Sequence, residues 1–227
     1  MSRKKTVAVA LVLALVLIIG GMLAYFTDTD TKTNVFTLGD EVEISLSEDG
    51  WDALTDSNNN DIPDIAEGIH PGTKVVKDPV ITNESETTPA YVFAEIIVPC
   101  YDADDDGTAD TPLYKLLNSS DVALTMTQGS SGNTGWTLIN SPSVNTTDNT
   151  ITYVYAYGTS SAMTSLAGTT PNASTSTPVF SKVQVVPDLT SDQAATASNT
   201  PNIVVNAYGI QTDGLSVTTP SAIYDLF

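Results

Sequence analysis

Short runs of alternating apolar residues constrain the fold of this chain more than any other feature. In segment 151–157, for example, Ile151, Tyr153, Tyr155 and Tyr157 occupy every second position. Alternation with a period of two places one face of a strand in the core and the other toward water. Runs of this kind, separated by Gly, Pro, Asn and Asp clusters, predict about eight strands, at 41–47, 74–82, 90–98, 122–127, 135–139, 150–157, 179–186 and 202–211.

No long segment repeats apolar residues at helical spacing, so the sequence predicts an all-β protein. Strands that follow one another without intervening helices are typical of a two-sheet β-sandwich. We predict a jelly-roll-like sandwich over residues 39–227, as a single domain with long loops and at most one or two short helices. The small, polar segment 160–176 is predicted as a loop, with a short helix at 162–166 as an option.

The N-terminus has the layout of an export signal. Basic residues at positions 3–5 precede the apolar run 7–19, and small residues follow. This pattern predicts a signal peptide over 1–24, cleaved between Ala24 and Tyr25 by a signal peptidase. A retained membrane anchor is the alternative, because the apolar stretch approaches the length of a spanning helix. Either way we expect the rest of the chain to be secreted, in the extracellular matrix or at the cell surface, with membrane contact only through an uncleaved leader.

The chain is strongly acidic, with 27 acidic against 8 basic residues and a net charge of −19. A surface of this sign repels nucleic acid and anionic lipid and attracts cations. Binding of nucleic acid is therefore excluded as a function.

The motifs of common enzyme classes are missing from the sequence. His70 is the sole histidine, so a zinc hydrolase lacks its ligands, and neither a Gly-rich phosphate loop nor a Gly-x-Ser-x-Gly elbow occurs. Cys100 is the sole cysteine, which rules out an intrachain disulfide. We predict that it is a buried small hydrophobe, with an intermolecular disulfide as the alternative. The sequence thus predicts a protein that is not an enzyme, with no catalytic and no cofactor-binding residues.

Segment 56–67 has oxygen-bearing side chains at the spacing of a calcium loop. They stand at loop positions 1, 3, 5, 9 and 12, as Asp56, Asn58, Asn60, Asp64 and Glu67. Ca²⁺ takes six to eight oxygens, and this spacing wraps them around one point. We expect Ile62 to add its carbonyl and to point its side chain inward. Asp61 stands where such loops usually have Gly, and the segment is similar to the calcium loops of thrombospondin-type repeats.

A second acidic segment follows the run of apolar residues at 90–98. Its candidate ligands are Asp102, Asp104, Asp106 and Asp110. Gly107 provides the usual turn residue, but Leu113 stands where the last ligand, a Glu, is expected. In both segments the alternative is a solvated acidic loop. A bound Ca²⁺ ion would be structural, because it would pin a long loop and not take part in catalysis.

Several short motifs, in order along most of the chain, resemble one family. They are the leader end Gly20-Gly-Met-Leu-Ala24-Tyr25-Phe26, then Phe36-Thr-Leu38-Gly39 before Val42-Glu-Ile44, Pro71-Gly72 with Lys77-Asp-Pro79-Val-Ile-Thr-Asn83 and Pro89-Ala90-Tyr91-Val92, Leu166-Ala-Gly168 with Pro178-Val-Phe180-Ser-Lys182-Val183, and Val205-Asn-Ala207-Tyr208-Gly-Ile210-Gln211. Together they resemble the TasA/camelysin-like proteins, which are exported by the SipW-type signal peptidase. The resemblance implies a secreted jelly-roll sandwich that assembles into matrix or biofilm fibres. Camelysin members are described as proteases, but no protease site is visible in this sequence.

The same resemblance implies that the new N-terminus acts as a donor strand for a second copy of the chain. The candidate segment is 25–38, with Tyr25, Phe26, Val35 and Phe36 as its apolar anchors. Strand addition to an open sheet edge supplies main-chain hydrogen bonds, and head-to-tail addition without closure produces a filament. The alternatives are a flexible tether or an edge strand of its own domain.

Two classes of function stay open at this point. One is a structural fibre subunit whose partners are copies of itself. The other is a monomeric, calcium-stabilised adhesin or binding module at the cell surface. The acidic loops support the calcium, and the row Tyr153, Tyr155 and Tyr157 would provide a ligand platform. These tyrosines are also typical of one core face of a strand.

Overall fold

The structure of the chain, a computed structural model, describes residues 27–30, 42–169, 173–197 and 202–227, with the backbone alone for 27–30. These ranges contain thirteen strands. They are β1 (Thr27–Asp30), β2 (Ile44–Ser47), β3 (Lys74–Val76), β4 (Val80–Asn83), β5 (Ala90–Tyr101), β6 (Thr111–Pro112), β7 (Tyr114–Leu117), β8 (Trp136–Leu138), β9 (Ser143–Asn145), β10 (Thr150–Tyr157), β11 (Ser174–Thr175), β12 (Lys182–Val185) and β13 (Val204–Gln211).

Helices in the described ranges are short. They are α1 (Asp49–Asp52), α2 (Ser191–Thr196), α3 (Pro220–Tyr224) and a 3₁₀ turn at Asp64–Ala66. Thr190 and Gln193 form a reciprocal capping box at the start of α2, which satisfies two of its free backbone donors. None of these helices has the length and apolar character that a bilayer span requires.

The strands form one large sheet and two small ones. The large sheet has the order β1-β13-β5-β10-β8, with β6 beside β5 and β9 beside β10. The small sheets have the orders β11-β4-β2 and β3-β12-β7. Every strand pair is antiparallel. The long strand β5 lies at the centre of the large sheet, where it pairs with both β10 and β13.

Side chains from all three sheets meet in one apolar core. Ile96 and Tyr155 of the large sheet share a buried cluster with Ile81 of β4 and Leu116 of β7. The two small sheets therefore lie over one face of the large sheet, which makes the fold sandwich-like. The prediction of an all-β, sandwich-like fold is confirmed.

The other face of the large sheet carries a second, smaller core. Phe93 and Val154 point to this face and pack with Ile210 and with Ile223 of α3. The alternate residues of the same strands, such as Ile96 and Tyr153, belong to the first core. The large sheet is thus apolar on both faces, and the C-terminal segment covers the face that the small sheets leave open.

Tertiary contacts account for most differences from the predicted strands. The run predicted at 74–82 divides into β3 and β4, because the Asp78 carboxylate turns to accept the Gly50 amide at 3.0 Å and Pro79 has no N–H for a ladder. Segment 122–127 contains no strand and makes only an isolated bridge from Ala123 to Leu117.

The predicted short helix at 162–166 is wrong, because Met163 and Leu166 form isolated bridges to Gly158 and Ala90. The described ranges hold three short α-helices, one more than the upper limit that we predicted. Neither α1 nor α3 has a side-chain hydrogen bond that caps its start, although α3 begins with Thr219 and Pro220, residue types that are typical of a helix start.

Two predictions for core residues are confirmed. Cys100 is buried, and burial, with the nearby charge of Asp110, raises the pKa of its thiol to about 12. Tyr153 and Tyr155 are fully buried in the first core, so they cannot serve as a ligand platform.

Phe180 is fully buried in the first core, so its truncation to Ala removes a ring that the surrounding side chains cannot replace. We expect Phe180→Ala to lower the free energy of unfolding by about 3–5 kcal/mol. Val122→Ala is the control, because Val122 is 57% exposed and should change stability by less than about 0.5 kcal/mol. Urea unfolding measures both. A loss of similar size in the two variants would contradict the assigned core.

Candidate functional site: an open sheet edge and two acidic loops

Strand β13 lies next to the edge of the large sheet and is covered unequally on its two sides. Toward the sheet interior, all eight of its residues pair with β5, from Val204 opposite Ile97 to Gln211 opposite Ala90. Toward the edge, only Ala207–Ile210 pair, with β1. Within the described part of the chain, the remaining edge-side backbone of β13 has no strand partner, and Val204 is 44% exposed.

Packing on both faces of the sheet holds β13 in place without help from β1. On the first core's side, Gly209 passes so close to β2 that an added Cβ atom would lie 2.8 Å from Cγ2 of Ile44. On the opposite side, Ile210 is buried in the second core. The edge that β13 presents is therefore a fixed surface rather than a mobile one.

A hydrogen-bonded cluster around Glu95 of β5 ties β13 to the C-terminus. The Glu95 carboxylate accepts from Nδ2 of Asn206 at 2.8 Å, from the Tyr208 hydroxyl at 3.1 Å and from the Tyr224 hydroxyl at 3.4 Å. Tyr208 and Tyr224 also meet edge to face, with ring centroids 5.6 Å apart. We did not predict this cluster from the sequence, although a lone acidic residue within the apolar run of β5 was a visible signal.

The environment of this cluster shifts the ionisation of its tyrosines. Burial, followed by the charge of Glu95 and the hydrogen bond to it, raises the pKa of Tyr208 to about 12. The same causes raise the pKa of Tyr224. Both phenols therefore stay neutral, and act as donors to Glu95, over the whole physiological range of pH.

Only part of the predicted donor segment belongs to the described residues. Its backbone at Thr27–Asp30 forms β1, antiparallel to β13, with Thr27 opposite Ile210 and Asp30 opposite Ala207. This is the arrangement of an edge strand of its own domain, one of the alternatives that the sequence left open. Ala24, Tyr25, Phe26, Val35 and Phe36 lie outside the described residues, as does the rest of the predicted signal peptide.

The first acidic loop, 56–67, closes on its own side chains. Oε1 of Glu67 accepts from Nδ2 of Asn58 at 2.9 Å and of Asn60 at 2.6 Å. Asp56 accepts the backbone N–H groups of Asn60 and Asp61 at 3.3 and 2.9 Å. The loop therefore gathers most of the predicted ligands, but most of their oxygens already accept hydrogen bonds from donors of the loop itself.

Three further details of this loop bear on the predictions. Asp64 accepts from the hydroxyl and the amide of Ser57, and these hydrogen bonds lower the pKa of its carboxyl group. Asp61 has a φ of 64°, the conformation for which Gly is favoured at this position. The expectation that Ile62 points inward is wrong, because its side chain is 45% exposed.

The second acidic loop brings three carboxylates together. One oxygen each of Asp102, Asp104 and Asp106 lies within 4.8 Å of the others, and this is the only such group of three among the described residues. The turn depends on Gly107, whose φ is 90° and whose N–H donates to Oδ2 of Asp102 at 2.8 Å. The fourth predicted ligand, Asp110, lies outside the group and accepts from the Thr111 hydroxyl at 3.3 Å.

The fold and these sites describe a sandwich-like all-β protein with an open sheet edge and acidic loops. The model of the camelysin metallo-endopeptidase family matches residues 1–110. The resemblance to the TasA/camelysin-like family is thereby confirmed over this part of the chain, and the family is extracellular or associated with the cell surface. No curated protein and no solved structure matches the chain.

The family description names a metal-dependent peptidase, so the metal-binding capacity of the chain bears on its chemistry. The single group of three acidic ligands among the described residues, Asp102, Asp104 and Asp106, contains neither His nor Cys. Carboxylate oxygens suit hard cations such as Ca²⁺, whereas catalytic zinc is typically held by histidines. The sole histidine, His70, lies in a loop distant in sequence from this group. The residues present therefore fit a structural cation and do not fit a zinc peptidase centre.

Alkaline pH should destabilise the protein partly through Tyr208. Its pKa is about 12 in the folded protein but about 10 in an unfolded chain. Because the unfolded chain loses this proton first, the stability from the neutral phenol is complete below about pH 10 and is lost as the pH rises to about 12. We expect Tyr208→Phe to lose less stability than the wild type over this window.

Urea unfolding at several pH values between about 7 and 12 measures this effect. The difference between the two proteins near pH 7 gives the cost of the lost hydrogen bond to Glu95, and it should shrink at alkaline pH. If the free energies of unfolding of the two proteins change with pH in parallel, Tyr208 ionises alike in the folded and unfolded states, which would contradict the prediction.

Proposed function

We propose that this chain is a secreted structural subunit of an extracellular fibre or biofilm matrix. In this proposal, subunits assemble head to tail, and the N-terminal segment of one copy adds a strand to the large sheet of the next. The family match over residues 1–110 supports the secreted, matrix-type role. The arrangement of β1 on the edge of β13 supports the mode of assembly.

The observation that carries the proposal is the partial cover of β13 by β1. Four residues of β1 occupy half of an eight-residue edge, and β13 stays in place through β5 and both cores. A short strand that pairs on one side only can be exchanged for the same strand of a neighbour at little cost in contacts. Exchange of an identical element between protomers is a low-cost route to assembly.

The chain between β1 and the body of the domain is long enough for such an exchange. Eleven residues, 31–41, separate Asp30 from Val42. A fully extended chain of this length spans at most about 36–40 Å, more than the diameter of a small domain. A donor could therefore reach the edge of an adjacent molecule, and a rotation that does not close would extend the assembly into a filament.

Cleavage of the leader by a signal peptidase would control this assembly. Before cleavage between Ala24 and Tyr25, the donor segment is tethered to the export signal. After cleavage, Tyr25 and Phe26 become the free end, and Phe26, Val35 and Phe36 supply apolar anchors for the acceptor. The signal peptidase and further copies of the chain are thus the proposed partners.

We propose that the chain has no enzymatic role and that its cofactor is a structural Ca²⁺ ion. The acidic loops and the net charge of −19 support cation binding. They also favour a second candidate function, a monomeric calcium-stabilised adhesin or binding module at the cell surface. The two functions differ in whether the exported protein polymerises.

Deletion of residues 25–38 should abolish filament formation by the exported protein, because it removes the donor and leaves the acceptor intact. Negative-stain electron microscopy of both proteins, with and without Ca²⁺, tests this. Filaments from both would retain the structural role but discard strand donation by this segment. Filaments from neither would favour the monomeric module.

Two single proline substitutions provide a matched control. The N–H groups of adjacent strand residues point to opposite sides, so only one of Asp28 and Thr29 directs its N–H at β13. Asp28→Pro and Thr29→Pro should therefore affect assembly unequally, with a severe loss in one and near-normal filaments in the other. Equal effects would contradict pairing of β1 with β13 in the register described.

A further inference from the structure

The carboxylate of Asp102 is buried without a full set of partners. Asp102 follows the last residue of β5 and is 6% exposed. Its Oδ2 atom accepts the Gly107 amide, but Oδ1 is fully buried and has no hydrogen-bond donor among the described residues. A buried carboxylate oxygen without a partner is costly and rare in folded proteins, so this atom points to a ligand.

Two further carboxylates lie close to that of Asp102. One oxygen each of Asp104 and Asp106 lies within 4.8 Å of a carboxylate oxygen of Asp102. Neighbouring negative charges at this separation repel one another. The ion pairs of the described residues all lie elsewhere, at Lys74–Asp121, Lys77–Glu48 and Lys182–Asp121. Within the part of the chain that the structure describes, no basic side chain forms an ion pair with these three aspartates.

We propose that Asp102, Asp104 and Asp106 bind one Ca²⁺ ion. Each would offer a carboxylate oxygen, and the ion would satisfy Oδ1 of Asp102 and remove the repulsion among the three groups. A donor set made only of oxygens is the set that hard cations take, and Ca²⁺ tolerates the irregular geometry and variable ligand number of a short loop. Asp110 is not part of this ligand set.

The first acidic loop is the weaker of the two candidates. Both oxygens of Asp56 and Asp64, and Oε1 of Glu67, already accept hydrogen bonds from the amides and hydroxyl of their own loop. An ion bound there would have to share these oxygens with their present donors. At the second loop, by contrast, the best-buried oxygen, Oδ1 of Asp102, has no contact to lose.

The bound ion would stabilise the junction between the central strand and α2. The Asp102 amide donates to Oγ1 of Thr196 at 2.9 Å, and Nε2 of Gln193 donates to the Ala103 carbonyl at 3.0 Å. Both partners belong to α2, the helix that precedes β13 in the chain. Fixing the loop therefore also holds α2 against the end of β5. This proposal rests on the part of the proposed function that names a structural Ca²⁺ ion, and it assigns the ligands of that ion. It does not depend on fibre assembly.

Calorimetric titration of Ca²⁺ into the exported protein, after removal of metal with a chelator, tests the proposal on the monomer. We expect binding at one site and a rise in melting temperature of about 5–10 °C when free Ca²⁺ is about 100 times Kd. Asp104→Asn and Asp106→Asn should each weaken binding at least about tenfold, since each removes one ligand charge. Both residues are exposed, so these variants should still fold.

Two further substitutions are matched controls. Asp105→Asn removes the same charge from the same loop, outside the cluster, and Asn tolerates the φ of 60° at this position. Asp56→Asn tests the first loop. Both should bind Ca²⁺ like the wild type. The proposal is overturned if Ca²⁺ neither binds nor stabilises the protein, if Asp105→Asn weakens binding as much as Asp104→Asn, or if only Asp56→Asn abolishes it. Filament formation is not measured here, so this result is independent of the assembly mechanism.

Discussion

The double pairing of β5 supports the rest of the structure. Residues 90–97 of this strand pair with β13 and residues 93–99 pair with β10, so the two ladders overlap between Phe93 and Ile97. Its side chains alternate between the two cores, with Ala94 and Ile96 in one and Phe93 in the other. This strand therefore fixes the position of β13, and with it the geometry of the open edge. Its C-terminal end also delivers Asp102 to the acidic loop.

The two proposed sites thus both depend on β5, which pairs with β13 and ends at the acidic loop, and they perform separate tasks. The edge of β13 offers backbone hydrogen bonds, which are sequence-tolerant and suit a repeating assembly. The Asp102 loop offers charge, which suits a cation and stabilises the junction of β5 with α2. A subunit with a rigid acceptor loses little conformational entropy when a neighbour's strand binds, because the edge is ordered beforehand.

Local patterns predicted the interior strands well, and non-local contacts explain the features that these patterns did not predict. The alternation of Ile151, Tyr153, Tyr155 and Tyr157 predicted β10 with its observed bounds, because both neighbours of the strand lie in the same sheet. The sequence could also identify the three aspartates that the second loop brings together. It could not reveal that Oδ1 of Asp102 lacks a partner. That property depends on tertiary packing around the loop, where even the Asp102 amide finds its partner, Thr196 of α2, far along the chain.

The identity of the strand that pairs with β13 tests the central claim most directly. Thr29 lies opposite Tyr208, and opposed residues of antiparallel strands have Cα atoms about 4.5–5.5 Å apart, within reach of a disulfide. Thr29→Cys and Tyr208→Cys proteins should be mixed, assembled and oxidised, with the buried Cys100 unable to compete. The account predicts disulfide-linked dimers of one variant with the other in the mixed filaments. Filaments without such dimers, together with a link inside single chains that carry both substitutions, would show that β1 stays on its own domain and would contradict it.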